Sequence, residues 1–157
     1  MGALALLLIA KVIRQSPAFT ALGLFFVSGA LLFSILILLG YREPAIQITA
    51  HIFESLAYFY AAYGLLRYMF ADRYLTKDEM FAAGAVFTLL AWGFAFLYNI
   101  CQLIDPNSFI KPEHIGLKSW LDILFLSFSL QSATGLSDIV PSGAAARVIA
   151  IIQMFGG

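Results

Sequence analysis

Three long apolar stretches, separated by short polar ones, dominate the chain. The first runs from Phe19 to Leu39 and is almost unbroken Leu, Ile, Phe, Val, Ala and Gly. The second runs from Ile46 to about Phe70 and is rich in Phe and Tyr, and the third runs from Met80 to Ile104. Each is as long as the roughly 20 residues with which an α-helix crosses a bilayer. The pattern therefore predicts three transmembrane helices.

Polar and proline residues mark where these helices should begin and end. Pro17 precedes the first stretch, at a place where a helix tolerates proline. The segment from Tyr41 to Pro44 ends that helix, and Asp105-Pro106 ends the third. The segment Thr76-Lys-Asp-Glu79 has the spacing of a capping box, so the third helix should start there.

Two shorter apolar stretches follow a polar connector that runs from Asp105 to Gly116. Ser119-Trp-Leu-Asp122 has N-cap spacing, and a helix from Trp120 to Ser132 would be about 20 Å long. Such a helix cannot cross a hydrocarbon core of about 30 Å, although it can descend partway. The last helix, from about Gly143 to Gly157, is about as short. We expect it to continue in the natural protein, since a chain end inside the membrane is costly.

Between the two short helices lies Ser132-Ala-Thr-Gly-Leu-Ser-Asp-Ile-Val-Pro141, a turn of small and polar residues. Backbone at membrane depth that is not helical must be buried in protein or line a watery cavity. The segment therefore predicts a chain that enters the membrane, turns and returns, as in a pore.

Composition agrees with a membrane protein, because 62% of the residues are hydrophobic, 11% are charged and the mean hydropathy is +0.91. A soluble domain has roughly 25% charged residues. The net charge of zero gives no indication of a nucleic-acid partner. The single cysteine, Cys101, excludes an intrachain disulfide and a thiolate metal cluster. The chain carries no nucleotide loop, nucleophile triad or metal motif, so we expect neither an enzyme nor a cofactor or metal site.

Basic residues predict the orientation of the helices. Lys11 and Arg14 precede the first helix, and three more basic residues lie between the second and third: Arg67, Arg73 and Lys77. By the positive-inside rule the N-terminus is cytoplasmic, so the short helix enters from outside. Lys111 and Lys118 in the external connector count against this orientation. The predicted location is the plasma or inner membrane of the cell.

These elements predict an all-α membrane protein with three transmembrane helices, a re-entrant helix with its loop, and an apparently truncated inner helix. Residues 1–16 form an N-terminal segment that lies on the cytoplasmic face or, alternatively, ends an oblique membrane segment. Residues 17–79 form a two-span region, and residues 80–157 form the module that contains the turn.

The last 78 residues of the sequence resemble the pore module of the potassium-channel superfamily, in its bacterial form. The resemblance lies in the order of the helices and in four short motifs: Phe128-Ser129, Thr134-x-x-x-Asp138-Ile-Val-Pro141, Ala146-Arg147 and Ala150-Ile151. It implies a selectivity filter at residues 133–137 and a hinge glycine in the inner helix at Gly157. No span carries regularly spaced arginines, so the resemblance does not extend to a voltage sensor.

The implied filter departs from the family pattern. The family's Thr-Val-Gly-Tyr-Gly presents backbone carbonyls that replace the water around potassium, whereas this chain has Ala133, Thr134, Gly135, Leu136 and Ser137. Ala133 lacks the hydroxyl of the innermost site, and Leu136 lacks the phenol that braces the filter. Ser137 replaces a glycine with positive φ, so it costs about 1 kcal/mol or adopts another backbone geometry. The resemblance therefore implies altered or weak potassium selectivity.

The resemblance also assigns Asp138 to the external mouth of the pore. There it would attract cations or, alternatively, cap the turn by accepting hydrogen bonds from backbone N–H groups. A single filter strand per chain implies a ring of four copies, with monovalent cations as the permeant ions. The partners implied are membrane lipid and further copies of the chain.

One polar pair lies inside the second span. His51 and Glu54 stand three residues apart and so share a helix face. They could relay protons or ions or bind a metal, or they could bond to neighbouring groups near the membrane surface. Three hypotheses follow: a weakly selective tetrameric cation pore, a non-conducting accessory or scaffolding subunit among other membrane subunits, and a redox or proton-carrying subunit centred on this pair.

Overall fold

A computed structural model describes residues 17–70, 77–111 and 116–156. It contains five helices and one two-stranded ladder in these ranges: α1 (Pro17–Leu38), α2 (Pro44–Met69), α3 (Lys77–Ile104), β1 (Phe109–Ile110), α4 (Trp120–Gln131), β2 (Val140–Pro141) and α5 (Ala144–Gly156). The mostly helical fold confirms the coarse prediction. The predicted interfacial segment 1–16, the residue Thr76 and the predicted hinge Gly157 lie outside the described residues.

The helix bounds follow the local signals in the sequence. Pro44 is the first residue of α2, where its missing N–H needs no partner. The helix α3 begins at Lys77, inside the predicted capping segment. The helix α4 begins with a complete capping box, in which the Ser119 hydroxyl accepts from the Asp122 amide and the Asp122 carboxylate accepts from the Ser119 amide.

Two helices of the described part are long and apolar enough to cross a membrane. They are Ala21–Leu38 within α1 and Met80–Ile104 within α3. The helix α2 has 26 residues, but it carries more polar side chains, and as a third span it stays a prediction. The helices α4 and α5 have 12 and 13 residues and do not meet the same criterion of length.

The chain divides into two compact units, one ending at Gly93 and the other beginning at Phe94, within α3. In the first unit α1 packs against α2 through rings: Phe53 contacts Phe25 edge-on and stacks on Phe33. The helix α2 also contacts the first part of α3, because the Ser55 hydroxyl donates to the Gly93 carbonyl at 3.1 Å. Tyr58 of α2 stacks on Trp92.

Gly29 of α1 allows the closest approach to α2. A Cβ atom built there would lie 2.6 Å from Cε1 of Phe53, closer than real Cβ contacts come. We therefore expect Gly29→Ala to lower the free energy of unfolding by about 1–3 kcal/mol, since overpacking displaces the ring and backbone. Thermal unfolding of the purified protein in detergent measures this. The control is Gly84→Ala, whose Cβ meets nothing within 4 Å, and an equal melting temperature for both variants would contradict the prediction.

In the second unit α4 packs against α5, and the ladder joins the two connecting segments. Small residues on α5 face inward, with Ala146 fully buried and Ala150 nearly so. The strands β1 and β2 pair antiparallel, with Phe109 opposite Pro141. This ladder was not predicted, because a two-residue strand in a polar connector carries no periodic pattern.

Candidate functional site

The helix α4 ends where the candidate filter begins, and it ends with a defined capping motif. Ser132 is the C-cap residue, the Ala133 amide donates to the Leu130 carbonyl at 3.1 Å, and the Thr134 amide donates to the Ser129 carbonyl at 3.0 Å. These two bonds form a Schellman motif, which requires a left-handed residue after the C-cap. Ala133 occupies that position with φ +54°. The first part of the loop is therefore a helix terminus.

The left-handed residues of the loop are Ala133 and Gly135, with φ values of +54° and +63°. Ser137, which stands where the family has a glycine with positive φ, is not among the residues with positive φ. Ser137 therefore does not adopt the strained positive φ, and the backbone has a different geometry at this position. The Gly135 amide also reaches the Ser129 carbonyl, at 3.2 Å, so three successive residues of the loop are held to the last turn of α4.

Side-chain hydroxyl groups hold the rest of the turn. The Ser132 hydroxyl lies 2.7 Å from the Phe128 carbonyl and 3.0 Å from the Thr134 hydroxyl. Further along, the Ser137 hydroxyl accepts from the Ile139 amide at 3.1 Å. The residues from Ser132 to Leu136 are exposed in the isolated chain, and the side chain of Leu136 is 71% exposed. An apolar side chain at such a place is accessible to another protein chain or to lipid.

The exit of the loop is anchored to the connector after α3. Ile139 is buried, and β2 then pairs with β1. The amides of Ser142 and Gly143 both donate to the Ser108 carbonyl, at 2.9 and 3.1 Å. Gly143 allows this approach, because a Cβ there would lie 3.1 Å from the Cα of Ser108. Both ends of the loop are therefore fixed, the first by α4 and the second by the ladder.

Asp138 pairs with a lysine, an arrangement that the sequence did not predict. The Lys111 ammonium lies 3.2 Å from Oδ2 of Asp138 and 3.0 Å from Oδ1 of Asp122. One lysine thus joins the connector, the start of α4 and the turn after the loop. The Asp138 side chain is 58% exposed and faces solvent as well. Its charge is partly compensated within the chain, which weakens the predicted attraction of cations.

Two charged groups of this cluster, Lys111 and Asp122, have shifted pKa values. The hydrogen bond from Lys111, helped by that from Ser119, lowers the pKa of the Asp122 carboxyl below its ordinary value of 3.8. The hydrogen bonds to Asp122 and then to Asp138 raise the pKa of the Lys111 ammonium above its ordinary value of 10.5. Both groups are therefore charged at neutral pH.

A second polar cluster, also missed by sequence reasoning, lies between α3, α4 and α5. Gln153 of α5 is fully buried. Its amide nitrogen lies 2.8 Å from the Ser127 hydroxyl and 3.1 Å from Oε1 of Gln131, and its oxygen lies 2.7 Å from the Tyr98 hydroxyl. The sequence signal that could have indicated this cluster is a set of polar residues inside apolar stretches. Such residues hydrogen-bond across helices in membranes.

The predicted polar pair of α2 is formed. Nδ1 of His51 lies 2.8 Å from Oε2 of Glu54, and the Ser34 hydroxyl donates to Oε1 of Glu54 at 3.1 Å. Glu54 is 8% exposed. Its carboxyl group therefore joins α1 to α2 at a buried position. Among the described residues no group of three or more His, Cys, Asp or Glu side chains is placed to hold a metal ion. A relay role for the pair stays a prediction.

Comparison with known families finds a match in the second half of the chain. Residues 82–157 match a family described as "Ion channel". This match supports the resemblance of this part of the chain to a potassium-channel pore module. The match covers just under half of the 157 residues, and it includes α4, the loop and α5. No curated protein and no solved structure matches the chain significantly.

The family match indicates which function this part of the chain serves. The chain is an ion-channel-type membrane protein, and channels move ions rather than transform substrates, which points away from an enzyme. The roles predicted for residues 133–138 and for Gly157 remain predictions, because the family match covers these positions without assigning roles to them.

The capping motif of the pore module gives a stability prediction. A left-handed residue other than glycine costs about 1 kcal/mol, so Ala133→Gly should raise the free energy of unfolding by about that amount. The mirror variant is Gly135→Ala, whose Cβ meets nothing within 4 Å, so that only the backbone cost remains and stability should fall. Thermal unfolding of both variants tests this, and shifts in the same direction would contradict it.

Proposed function

We propose that four copies of the chain surround a central path for monovalent cations, formed by the loop of residues 133–138, with weak or altered potassium selectivity. The observation that carries this proposal is the ion-channel match over residues 82–157. The matched range contains α4, a helix of 12 residues and about 18 Å, which is too short to cross a membrane and ends in an exposed loop. One loop per chain requires several chains to enclose a path.

In this proposal α1, α2 and α3 cross the bilayer, and α4 descends from the external side and returns through the loop. The N-terminus is cytoplasmic, and the host membrane is that of the cell. Exposed apolar side chains along α1 and α3 suit contact with lipid; they include Leu24, Phe25, Leu32, Met80 and Phe81.

Three features of the loop support altered selectivity. Ala133 offers no hydroxyl as an ion ligand and serves as the left-handed residue of a helix cap. Ser137 lacks the positive φ of the family's glycine, and its hydroxyl is used by the Ile139 amide. Leu136 carries no hydroxyl to brace the loop. A stack of evenly spaced carbonyl sites is hard to build from such a strand, so potassium should lose its advantage over sodium.

The alternative is a non-conducting accessory or scaffolding subunit. The observation that favours it is Leu136, since an apolar side chain that is 71% exposed suits packing against another membrane subunit. Symmetry separates the two functions. A ring of four with residues 134–137 facing the axis supports the pore, and a single copy packed against foreign subunits supports the scaffold.

Reconstituted bilayers test the pore. With potassium on one side and sodium on the other, the full chain should pass current with a reversal potential close to zero. The inactive variant is Gly135→Val, since a β-branched residue cannot take φ +63° without strain. Its control is Gly84→Val in α3, where a Cβ meets open space. Assembled tetramers that seal the bilayer would overturn the proposal, and a large potassium-directed reversal potential would overturn the altered selectivity.

A further inference from the structure

The side-chain amide of Gln153 joins three helices of the pore module at one buried point. The amide nitrogen donates to the Ser127 carbonyl at 3.0 Å as well as to the Ser127 hydroxyl and to Gln131. The Tyr98 hydroxyl donates to the amide oxygen at 2.7 Å. A backbone carbonyl can only accept, so the NH₂ group must face Ser127 and the oxygen must face Tyr98. Every polar atom of this side chain is therefore used.

The contacts of Gln153 on α4 lie in the last turn before the candidate filter. Gln131 is the last residue of α4, and Ser127 lies one turn before it. The carbonyl between them in this turn, that of Ser129, accepts the amides of Thr134 and Gly135. The last turn of α4 is thus hydrogen-bonded both to Gln153 of α5 and to the amides of the loop.

Because this amide is buried, its hydrogen bonds should form together or break together. Gln153 is fully buried, as is Ser127, and Gln131 is 3% exposed. A buried amide or hydroxyl without a partner costs about 1–3 kcal/mol. A slide or rotation of α5 past α4 would break several of these bonds at once. Ala150 and Ala146, which lie about one and two turns before Gln153 on α5, are buried as well, and their small side chains allow close packing of this helix.

We propose that Gln153 is a positioning residue that makes the geometry of the loop 132–137 depend on the packing of α5 against α4. Tyr98 extends the same dependence to α3. The structural part of this inference is independent of ion conduction, and its electrical consequence rests on the proposed pore function.

Hydrogen exchange tests the structural part without any current. In Gln153→Met, which keeps the length and removes the hydrogen bonds, the amides of Thr134 and Gly135 should exchange at least about tenfold faster, while amides at the start of α4 keep their protection. The control is Met154→Leu, an exposed neighbour on the same helix, which should leave both rates unchanged. Unchanged exchange of the loop, or equal acceleration along the whole of α4, would overturn the proposal.

A second variant covers the case in which Gln153→Met does not assemble. Tyr98→Phe removes only the bond to the amide oxygen and leaves those to Ser127 and Gln131. It should accelerate loop exchange by a smaller factor, about two- to fivefold, and no acceleration would count against the proposal.

Permeability provides the electrical readout. In assembled Gln153→Met channels the ratio of potassium to sodium permeability should change by at least about twofold relative to Met154→Leu. An unchanged ratio, in channels whose loop exchanges faster, would overturn the electrical consequence alone. If the unaltered chain passes no current, the proposed pore function fails, while the exchange experiment still decides the role of Gln153.

Discussion

Replacing Glu54 with leucine should lower the free energy of unfolding by about 2–4 kcal/mol, because two part-buried polar partners each lose a hydrogen-bond partner at a cost of about 1–3 kcal/mol. The Glu54 carboxyl group is hydrogen-bonded to His51 on its own helix and accepts a hydrogen bond from Ser34 on α1. Its loss leaves the imidazole and the hydroxyl without this acceptor in surroundings that are mostly apolar. Chemical or thermal unfolding in detergent, with helical content as the signal, measures the change.

Two further variants separate charge from shape. Glu54→Gln keeps the length and an acceptor oxygen, so it should cost only about 1 kcal/mol, the net value of a hydrogen bond. The double variant His51→Leu with Glu54→Leu removes both polar partners and should recover much of the loss, since apolar replacement of a buried pair is often close to neutral. A double variant that loses as much stability as the single variants Glu54→Leu and His51→Leu lose together would contradict this explanation.

The same double variant decides the relay hypothesis. If the full chain conducts and the double variant conducts equally well, the pair serves to join α1 and α2 and carries no protons or ions. A loss of current in a double variant that remains folded and assembled would instead support a functional site at His51 and Glu54.

The helices could be predicted closely because their signals are local. The predicted second span of Ile46 to Phe70 became Pro44–Met69, and the predicted short helix of Trp120 to Ser132 became Trp120–Gln131. Length, hydrophobicity, proline and N-cap spacing act within a few residues. The same reasoning placed the turn after α4, and the family match bears out the resemblance that rested on it.

The details of the site could not be predicted, because they depend on which distant residues meet. Alignment on Asp138 gave Ser137 the position of a left-handed glycine, whereas the end of α4 requires the left-handed residue at Ala133. The pairing of Lys111 with Asp138 depends on the ladder, whose strands are two residues long. For Gln153 the sequence shows only a polar residue in an apolar helix, and its partners come from two other helices.

Replacing Lys111 with methionine should raise cation conductance at low salt. Lys111 lies between Asp122 and Asp138, at 3.0 and 3.2 Å, so its removal leaves two uncompensated carboxylates beside the loop. One added negative charge at about 10 Å in water is worth about 0.4 kcal/mol for a monovalent cation. Four such charges around the proposed pore would raise the local cation concentration about fifteenfold before screening.

Salt and a conservative variant distinguish this effect from a structural one. At about 10 mM salt the screening length is about 30 Å, and at 1 M it is about 3 Å. The conductance of Lys111→Met should therefore exceed that of the unaltered chain severalfold at 10 mM and equal it at 1 M. Lys111→Arg keeps the charge and should behave like the unaltered chain at both concentrations. A conductance gain that persists at 1 M would contradict the electrostatic explanation.

The pH dependence of the same cluster follows from its shifted pKa values. Because the pKa of Asp122 is lowered by folding, its stabilising effect is complete above the ordinary value of 3.8 and is lost as the pH falls below it. Because the pKa of Lys111 is raised, its effect is complete below 10.5 and is lost as the pH rises above it. The melting temperature of the unaltered chain should therefore fall more steeply outside this range than that of Lys111→Met. Parallel pH profiles for the two would show that the lysine does not hold the turn, and the conductance of Lys111→Met would then report charge alone.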